Sequence, residues 1–296
     1  MNNTTLKGVL YVALGAASYG MLATFVKLAY TRGYTTAEVT LSQTLLGLFG
    51  MLIIYTFQKN SKGTVQVKAS GTNKWQLIAG GTSMGFTSVF YYMCVHYIPV
   101  SVAIVLLMQT VWMGVLLEWL LTKTLPSAKK FVAVIIVLAG TTLATNLINS
   151  STLPNWSGIA WGMGAAASFT ATMFAGNSIA TQLSAPQRSL YMLVGSTIVI
   201  LIFTAITWPG SFNPGIFISW GIPLALFGTV VPPLLLNAGF PKTGLGLGSI
   251  VSALELPVSV VMACFILHES VNPLQWLGIA LILAAIVLMN INSRKP

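Results

Sequence analysis

The chain has 296 residues, of which 55% are hydrophobic and 6% charged, and its formal net charge is +10 at pH 7. A soluble domain carries about 25% charged residues, so this composition excludes a soluble globular protein and predicts a polytopic membrane protein. The positive charge does not indicate nucleic-acid binding, because the cations lie in short loops between apolar segments, where they set membrane orientation.

Ten apolar segments predict ten spanning helices, and no soluble domain separates them. Each has about 18–25 residues, which matches a hydrocarbon core about 30 Å thick at about 1.5 Å of rise per residue. The predicted fold class is therefore an all-α membrane protein with ten transmembrane helices. These helices cover residues 6–30, 37–58, 75–97, 100–121, 130–147, 156–179, 188–208, 217–239, 246–267 and 273–292.

The distribution of lysine and arginine predicts the orientation of these helices. Twelve of the 14 basic residues fall on one side of the membrane. Arg32 falls alone on the other side, and Lys27 lies within the first helix. By the positive-inside rule both termini are cytoplasmic, in a bacterial-type inner (plasma) membrane. The basic residues on the cytoplasmic side are Lys7, Lys59, Lys62, Lys68, Lys74, Lys123, Lys129, Lys130, Arg188, Lys242, Arg294 and Lys295.

Two halves of the chain repeat each other. Residues 17–20 read Ala-Ser-Tyr-Gly and residues 167–170 read Ala-Ser-Phe-Thr, while Gln109 and Glu255 occupy matching places in the fourth and ninth helices. Because five helices is an odd number, the second half enters the membrane inverted relative to the first, as in many secondary transporters. The predicted repeats are residues 1–148 and 149–296.

The most specific stretch begins Glu255-Leu-Pro257 and continues through Leu267-His-Glu269 to Leu277-Gly278. It resembles the ninth-to-tenth-helix signature of the drug/metabolite transporter superfamily, in particular its EamA-type members. That signature has a proline in helix nine, a glutamate at its end and a glycine in the last helix. The resemblance covers almost the whole chain. It implies alternating access and movement of small organic solutes, often export of amino acids, metabolites or drugs.

The first half departs from this pattern at three places. Val111 stands where the repeat would have the proline, and Lys123 stands where it would have the helix-end glutamate. The second helix reads Leu41-Ser42-Gln43-Thr44 where many relatives carry an arginine. The resemblance therefore implies a fold and a class of activity, and no particular substrate.

Glu255 lies near the middle of the ninth helix. An ionisable group at that depth costs about 2.5–3.5 kcal/mol on insertion scales and is functional by default. Pro257 removes a backbone donor and loosens the helix there. If the halves are related by a two-fold axis in the membrane plane, Gln109 and Glu255 approach one central cavity, where the acid can bind a substrate amine or a proton. The alternative is a structural acid, hydrogen-bonded within the bundle.

Further candidates line the expected cavity. Trp112 lies three residues after Gln109, on nearly the same helical face, and the repeat mates Tyr19 and Phe169 can hold an apolar or aromatic solute between their rings. Core packing is the alternative for each ring. The predicted substrate-binding residues are Tyr19, Gln109, Trp112, Trp161, Phe169, Asn237, Ser252 and Glu255, and the predicted gating residues are Lys27, Pro232, Pro233 and Pro257.

Two features predict moving parts. Pro232-Pro233 falls inside the eighth helix and should break it near its middle. Lys27, Glu38 and Glu269 map toward the outer face and are expected to form a charge-paired gate, with interfacial snorkelling as the alternative for Lys27. Glu118 maps toward the inner face beside Lys123 and is expected to be structural.

The residue types exclude several kinds of chemistry. The chain has only four acidic residues, and all are glutamates, which excludes an aspartyl intramembrane protease. His96 and His268 lack metal-ligand spacing. The G-x-S-x-G pattern at residues 81–85 lies in an apolar helix, where Gly81 and Gly85 indicate close helix packing instead of a nucleophile. No catalytic residue, cofactor or metal is predicted.

The leading hypothesis is a gradient-driven secondary transporter that exports amino acids or related metabolites and drugs by alternating access. An uptake permease of the same fold, a membrane-embedded enzyme acting on lipids, and a channel are the alternatives. The expected partners are a small-molecule substrate, membrane lipids and protons as the coupling ion, without nucleic acid. A monomer is favoured.

The predicted orientation can be checked with topology reporters. A reporter fused after Pro296 and another placed in the loop between Gln58 and Lys74 should both give a cytoplasmic signal, because an even number of crossings returns the chain to its starting side. A periplasmic signal from either reporter would contradict the ten-helix inverted repeat.

Overall fold

A computed structural model describes residues 3–60, 69–98, 100–145, 155–208 and 210–290. Helix falls in each of the ten predicted ranges, and no strand occurs among the described residues. The helices are α1 (Asn3–Thr31), α2 (Thr36–Asn60), α3 (Gly71–Tyr97), α4 (Val100–Leu107), α5 (Thr110–Thr122), α6 (Ala128–Ala144), α7 (Trp156–Ser178), α8 (Ala185–Ile206), α9 (Ile216–Ser219), α10 (Gly221–Ala225), a π-helix (Leu226–Val230), α11 (Val231–Thr243), α12 (Leu245–Ser252), α13 (Glu255–Ile266) and α14 (Pro273–Asn290).

Six helical stretches of the described chain are long and apolar enough to cross a membrane, by length and composition. They make the protein a multi-pass membrane protein, while ten crossings remains a prediction. The six stretches are Asn3–Thr31, Thr36–Asn60, Val102–Thr122, Ala185–Ile206, Gly221–Thr243 and Leu245–Ile266.

Helices of one half pack mainly against helices of the other half. α1 packs on α11 and α13, and its repeat counterpart α7 packs on α3 and on the α4–α5 pair. α6 packs on α14, and α2 packs on α8. The start of α1 and the end of α7 lie at the same end of the bundle, called the N-terminal face below, so these counterparts run in opposite directions. The predicted boundary at residues 148 and 149 lies outside the described residues.

Glycines allow the backbones to touch where the two halves cross. A Cβ on Gly195 of α8 would collide with the Ile78 carbonyl of α3, and a Cβ on Gly81 would collide with the Met192 backbone. Gly140 of α6 and Gly278 of α14 face each other in the same way. Small residues at such crossings let helices approach closely in a bilayer. The packing interpretation of the glycine pattern at residues 81–85 is therefore confirmed.

The fourth and ninth predicted helices are each broken, which corrects the expectation of continuous spans. One break, at residues 108–109, separates α4 from α5, and the other, at residues 253–254, separates α12 from α13. In the second break Pro257 has no N–H for the Ala253 carbonyl, which instead accepts from the Leu256 N–H at 3.2 Å. The breaks fall at matching positions of the two repeats.

The first break occurs without a proline, because a side chain replaces a backbone donor. The Gln109 side-chain amide donates to the Val105 carbonyl at 3.0 Å. In a regular helix the Gln109 backbone N–H would occupy that acceptor, but it bonds to the Leu106 carbonyl at 3.0 Å. The tighter turn ends α4, and α5 follows at once.

Pro232 and Pro233 do not interrupt their helix, contrary to the expectation of a break. The chain widens to the π-helix just before them and continues directly into α11. Pro232 cannot donate to the Phe227 carbonyl, which instead accepts from the Ser18 hydroxyl of α1 at 3.1 Å. The Pro233 carbonyl accepts from the Ser189 hydroxyl at 2.9 Å. Hydroxyl groups from neighbouring helices thus satisfy the distorted backbone.

Several of the basic residues used for orientation lie in the end turns of helices, and one of these, Arg188, is buried. Arg188 lies in the first turn of α8 and is only 1% exposed, because α8 starts three residues earlier than expected. Lys62, Lys68, Arg294 and Lys295 lie outside the described residues. The cytoplasmic assignment of both termini therefore stays a prediction.

The backbone contact between α3 and α8 predicts a stability effect. Gly195→Ala should lower the thermal unfolding temperature of the purified protein, because the overpacking cost of about 1–3 kcal/mol exceeds the helix-propensity gain of about 1 kcal/mol. Gly71→Ala is the matched control, since nothing lies within 4 Å of its added Cβ. Equal unfolding temperatures for Gly195→Ala and the wild type would contradict this close contact.

Candidate functional site

Three of the four glutamates have partners near the ends of helices. Glu38 caps the start of α2 by accepting from the Thr35 N–H at 2.7 Å, and its other oxygen accepts from the Asn213 N–H at 2.5 Å. Glu38 is therefore not part of the expected charge-paired gate, because its carboxylate already accepts a hydrogen bond from the loop after α8. Lys27 and Glu269 do form an ion pair, at the end of the bundle opposite the N-terminal face.

Glu118 forms an ion pair with Lys130 of α6 and not with the neighbouring Lys123. Lys123 turns away because it ends α5 in the left-handed conformation, with a φ of 57°. The Glu118 carboxylate also lies against Gly246 at the start of α12, where an added Cβ would touch it. An acid beside a helix N-terminus is favourable, so the structural role expected for Glu118 fits these contacts.

Glu255 is the fourth glutamate, and no cation or hydrogen-bond donor in the described ranges contacts its carboxyl group. It starts α13 directly after the helix break, and its side chain is half-buried. Tyr19 of α1 and Tyr91 of α3 both lie within electrostatic reach of it. Gly20 makes this approach possible, since any Cβ there would collide with the Glu255 carbonyl. We use the name Glu255 pocket for Tyr19, Tyr91 and Glu255, of which only Tyr19 lines the cavity described below.

Gln109 lies at the equivalent break, but both ends of its side-chain amide already form hydrogen bonds. Its amide nitrogen donates to the Val105 carbonyl, and its oxygen accepts from the Trp112 indole N–H at 2.9 Å. Trp112 in turn packs on the core between α5, α6 and α13. Gln109 therefore pairs with Trp112 of its own helix, and the described contacts do not join it to Glu255. The two breaks match in position and differ in chemistry.

Tyr19 and Phe169 meet at the middle of the bundle, as their repeat relation predicts. Their rings form an edge-to-face pair with centroids 6.2 Å apart. They line one end of a narrow cavity that runs between the two halves. We call this the methionine cavity, and its walls are Tyr19, Met84, Phe169, Thr172, Met173, Gly176, Met192, Pro233, Leu236, Asn237 and Phe240.

The other candidates lie in packed surroundings. Trp161 contacts Phe90 with ring centroids 5.5 Å apart and packs on the cluster around Cys94. The Ser252 hydroxyl donates to the Gly248 carbonyl of its own helix at 2.9 Å and is buried. Pro257 and Pro232 are buried within their helices. None of these four side chains lines the methionine cavity, and their roles, in substrate binding for Trp161 and Ser252 and in gating for Pro257 and Pro232, stay predictions.

Arg188 organises the N-terminal end of the methionine cavity and is the residue that the sequence did not single out. Its guanidinium donates to the Ile179 carbonyl at 3.0 Å, the Asn237 carbonyl at 2.7 Å and the carbonyls of Ala175 and Gly176. It thereby ties the end of α7 to α11 from a position on α8. A planar, five-donor group suits such a cluster of acceptors.

Asn237 belongs to the same buried network. Its amide donates to the Ser189 hydroxyl at 2.8 Å, and that hydroxyl donates to the Pro233 carbonyl. Asn237 lines the cavity as predicted, but its amide nitrogen already has a partner. It therefore shapes the end of the cavity and is less free to bind a solute than the sequence suggests.

The core is tightly packed between the Glu255 pocket and the N-terminal face. Val9, Val12, Phe240, Leu245 and Val251 belong to one buried cluster there. On the way to the opposite face, polar groups remain partly exposed instead. Tyr92 hydrogen-bonds to Tyr30, and the Tyr30 hydroxyl lies 3.3 Å from the Thr36 hydroxyl at the start of α2. The Glu255 pocket is thus bordered by apolar side chains toward the N-terminal face and by polar side chains toward the opposite face.

Comparison with known proteins identifies the family. A model of the EamA-like transporter family matches residues 6–146 and again residues 156–291. The chain belongs to the EamA-like transporter family. A relative from Synechocystis sp. (strain ATCC 27184 / PCC 6803 / Kazusa), described as an uncharacterized transporter, is 24% identical over 332 aligned residues, covering 100% of this chain and 97% of the relative. A solved crystal structure shares the fold with a TM-score of 0.76 and 13% identity, over 97% of this chain and 98% of that one.

The two family matches support the two-repeat architecture of this EamA-like transporter. Each match covers one five-helix half of the predicted arrangement, and residues 147–155 separate them. The family and the relative are both described as transporters. The chain is therefore a membrane transporter, and the Glu255 pocket is its candidate site.

The Arg188 network predicts a large loss of stability when the guanidinium is removed. Arg188→Met should lower the free energy of unfolding by about 2 kcal/mol or more, because buried carbonyls lose their donors. Arg188→Lys should restore part of this, since it keeps a charge but not the planar fork. Arg32→Met, at an exposed position, is the control. The measurement is unfolding of each variant in detergent. Equal stability of Arg188→Met and the wild type would contradict the role of Arg188 as the donor to these carbonyls.

Proposed function

We propose that this EamA-like transporter is a secondary transporter that exports amine-bearing small solutes, such as amino acids or related metabolites and drugs, by alternating access. The observation that carries the proposal is the carboxyl group of Glu255, which lies at a helix break and has no cation or hydrogen-bond donor among the described residues. A solute ammonium group would supply the missing cation, and tyrosine faces attract cations as well.

The cost of an unpaired charge inside the membrane supports the assignment of Glu255 as the residue that binds the solute. An unpaired carboxylate inside a membrane protein is costly, so a protein retains it where a ligand cation pairs with it or a proton neutralises it. The other three glutamates already have ion-pair or hydrogen-bond partners within the protein. Because a proton and an ammonium group would compete for one carboxylate, proton-coupled exchange follows as the energy source in this proposal.

The paired breaks support alternating access. Both broken helices carry their break at the same place in the repeat, so the two halves can exchange conformations about the midplane. In this proposal the structure corresponds to a form closed toward the N-terminal face. With the N-terminus in the cytoplasm of a bacterial-type inner membrane, that form releases an exported solute outward.

Matched acid-to-amide substitutions test the proposal. Glu255→Gln in lipid nanodiscs should weaken binding of amino acids and primary amines about tenfold or more, because a charge-assisted hydrogen bond contributes about 1.5–3 kcal/mol. Hydroxyl analogues of the same solutes should keep their affinity. Glu118→Gln is the control, since it removes an acid of the same type from the structural ion pair with Lys130.

Proteoliposome counterflow should follow the same order. Wild type and Glu118→Gln should exchange labelled amine solutes across the membrane, while Glu255→Gln should not. Equal amine binding and exchange by Glu255→Gln and the wild type would show that Glu255 is a structural acid and would overturn the proposal.

A further inference from the structure

An open cleft of about 430 Å³ lies at the end of the bundle opposite the N-terminal face. Both halves of the chain build it, because its walls come from the connection between α1 and α2 and from the segment between α8 and α10. Its volume falls within the range of about 300–1,000 Å³ that is typical of small-molecule sites. The wall residues are Arg32, Tyr34, Asn213, Ser219 and Trp220.

The cleft lies at the level where the membrane-spanning stretches end. Arg32 and Tyr34 lie in the connection between the first two of these stretches. The other three wall residues lie between the stretch that ends at Ile206 and the stretch that begins at Gly221. Trp and Tyr side chains are enriched at this level of a bilayer, beside the lipid head groups. A ligand in the cleft would therefore be at the depth of the lipid phosphates.

Arg32 supplies the positive charge of the cleft. Its side chain is exposed and has no ion-pair or hydrogen-bond partner within the described ranges. Glu38, the acid nearest to it in the sequence, is already held by Thr35 and by the Asn213 N–H. A guanidinium group suits a phosphate, because its planar donors can bond two phosphate oxygens at once. Arg32 is therefore available to an anionic ligand.

The other walls of the cleft offer neutral hydrogen-bonding groups. The Tyr34 and Ser219 hydroxyl groups lie 3.0 Å apart. The Asn213 side-chain oxygen accepts from the Gly215 N–H at 2.9 Å, which leaves the amide hydrogens of Asn213 to donate to a ligand. The rings of Tyr34 and Trp220 pack on a buried apolar cluster, so these walls are held in place.

A row of exposed apolar side chains leads from the cleft toward the middle of the membrane. Ile218, Ile222 and Leu226 recur every four residues, on successive turns from α9 to the π-helix. They are 87%, 66% and 42% exposed. The row begins at the edge of the cleft, because Ile218 directly precedes Ser219 of its wall. An acyl chain attached to a phosphate in the cleft would lie along this row.

We propose that the cleft binds the phosphodiester head group of a membrane lipid, with Arg32 on the phosphate and an acyl chain along Ile218, Ile222 and Leu226. Such a lipid contacts both halves of the chain where the hydrogen bond between Asn213 and Glu38 already joins them. It therefore stabilises the contact between the halves at this face. The inference does not depend on which solute binds at Glu255.

Three ligands distinguish a lipid from a free phosphate compound. The protein is purified in detergent with its native lipids removed, and its thermal unfolding is followed as each ligand is added. Dioctanoyl phosphatidylglycerol should raise the unfolding temperature, because a ligand that binds the folded state stabilises it. Dioctanoylglycerol lacks the phosphate and glycerol phosphate lacks the acyl chains, so each should bind about tenfold or more weakly.

Substitutions at Arg32 test the phosphate contact. Arg32→Gln should weaken phosphatidylglycerol binding about tenfold, because it removes the charge-assisted hydrogen bonds. Arg32→Lys should lose part of the affinity, since it keeps the charge but not the planar fork. Lys59→Gln is the matched control, because it removes one cation from an exposed position at the N-terminal face. Without added lipid, all three variants should unfold at the wild-type temperature.

A substitution at Ile218 tests the acyl contact. Ile218→Ser should weaken phosphatidylglycerol binding about threefold and leave glycerol phosphate binding unchanged, because it removes apolar surface outside the cleft. Leu125→Ser is the matched control, since Leu125 is a 79% exposed apolar residue in the loop between α5 and α6 at the other end of the bundle.

Each outcome decides the proposal. Stabilisation by phosphatidylglycerol that Arg32→Gln and Ile218→Ser reduce, and that both controls leave unchanged, supports the lipid site. Equal stabilisation by phosphatidylglycerol and glycerol phosphate would identify a site for free phosphate compounds and overturn the assignment to a lipid. Equal stabilisation of Arg32→Gln and the wild type by phosphatidylglycerol would overturn the cleft as the binding site.

Discussion

A bilayer offers no water to backbone groups, so every departure from regular helix in this protein needs a partner from the protein itself. Each described irregularity has one. The Ser18 hydroxyl completes the carbonyl left free before Pro232, and the Gln109 amide completes the carbonyl at the first break. Arg188 gathers the carbonyls at the end of α7. Irregular backbone is thus held in place by side chains from neighbouring turns or helices.

Against this background the two central breaks have different roles. Gln109 closes its break with local hydrogen bonds, and Trp112 fixes the amide from the next turn. The second break is bridged by the Leu256 N–H alone, and the Glu255 carboxyl group makes no ion pair or hydrogen bond among the described residues. One half of the repeat therefore has a break that its own side chains close, and in the proposed function the other has a break whose acid is available to a ligand. The two repeats have the same fold but different chemistry at their breaks, because the neutral amide Gln109 in one repeat corresponds to the acid Glu255 in the other.

Composition and periodicity predicted most of the fold, because apolar length alone identifies membrane segments. Glu255 was also predictable, since a lone acid in an apolar run is conspicuous. The break at Gln109 was not, because it depends on a side chain bonding to its own helix and no proline marks it. Arg188 was missed because arginine near a segment end looks like a loop cation. Only the packing of α7 and α11 around it reveals the acceptors that make its burial tolerable.

The glycine contacts between halves also affect how the protein is made. Gly81 of α3 and Gly140 of α6 meet their partner surfaces on α8 and α14, which are synthesised later. At about 5–20 residues per second the second half needs about 10–30 s to emerge. Until then the grooves of the first half face lipid or one another. Membrane insertion of the first five helices and their final packing are therefore separate events.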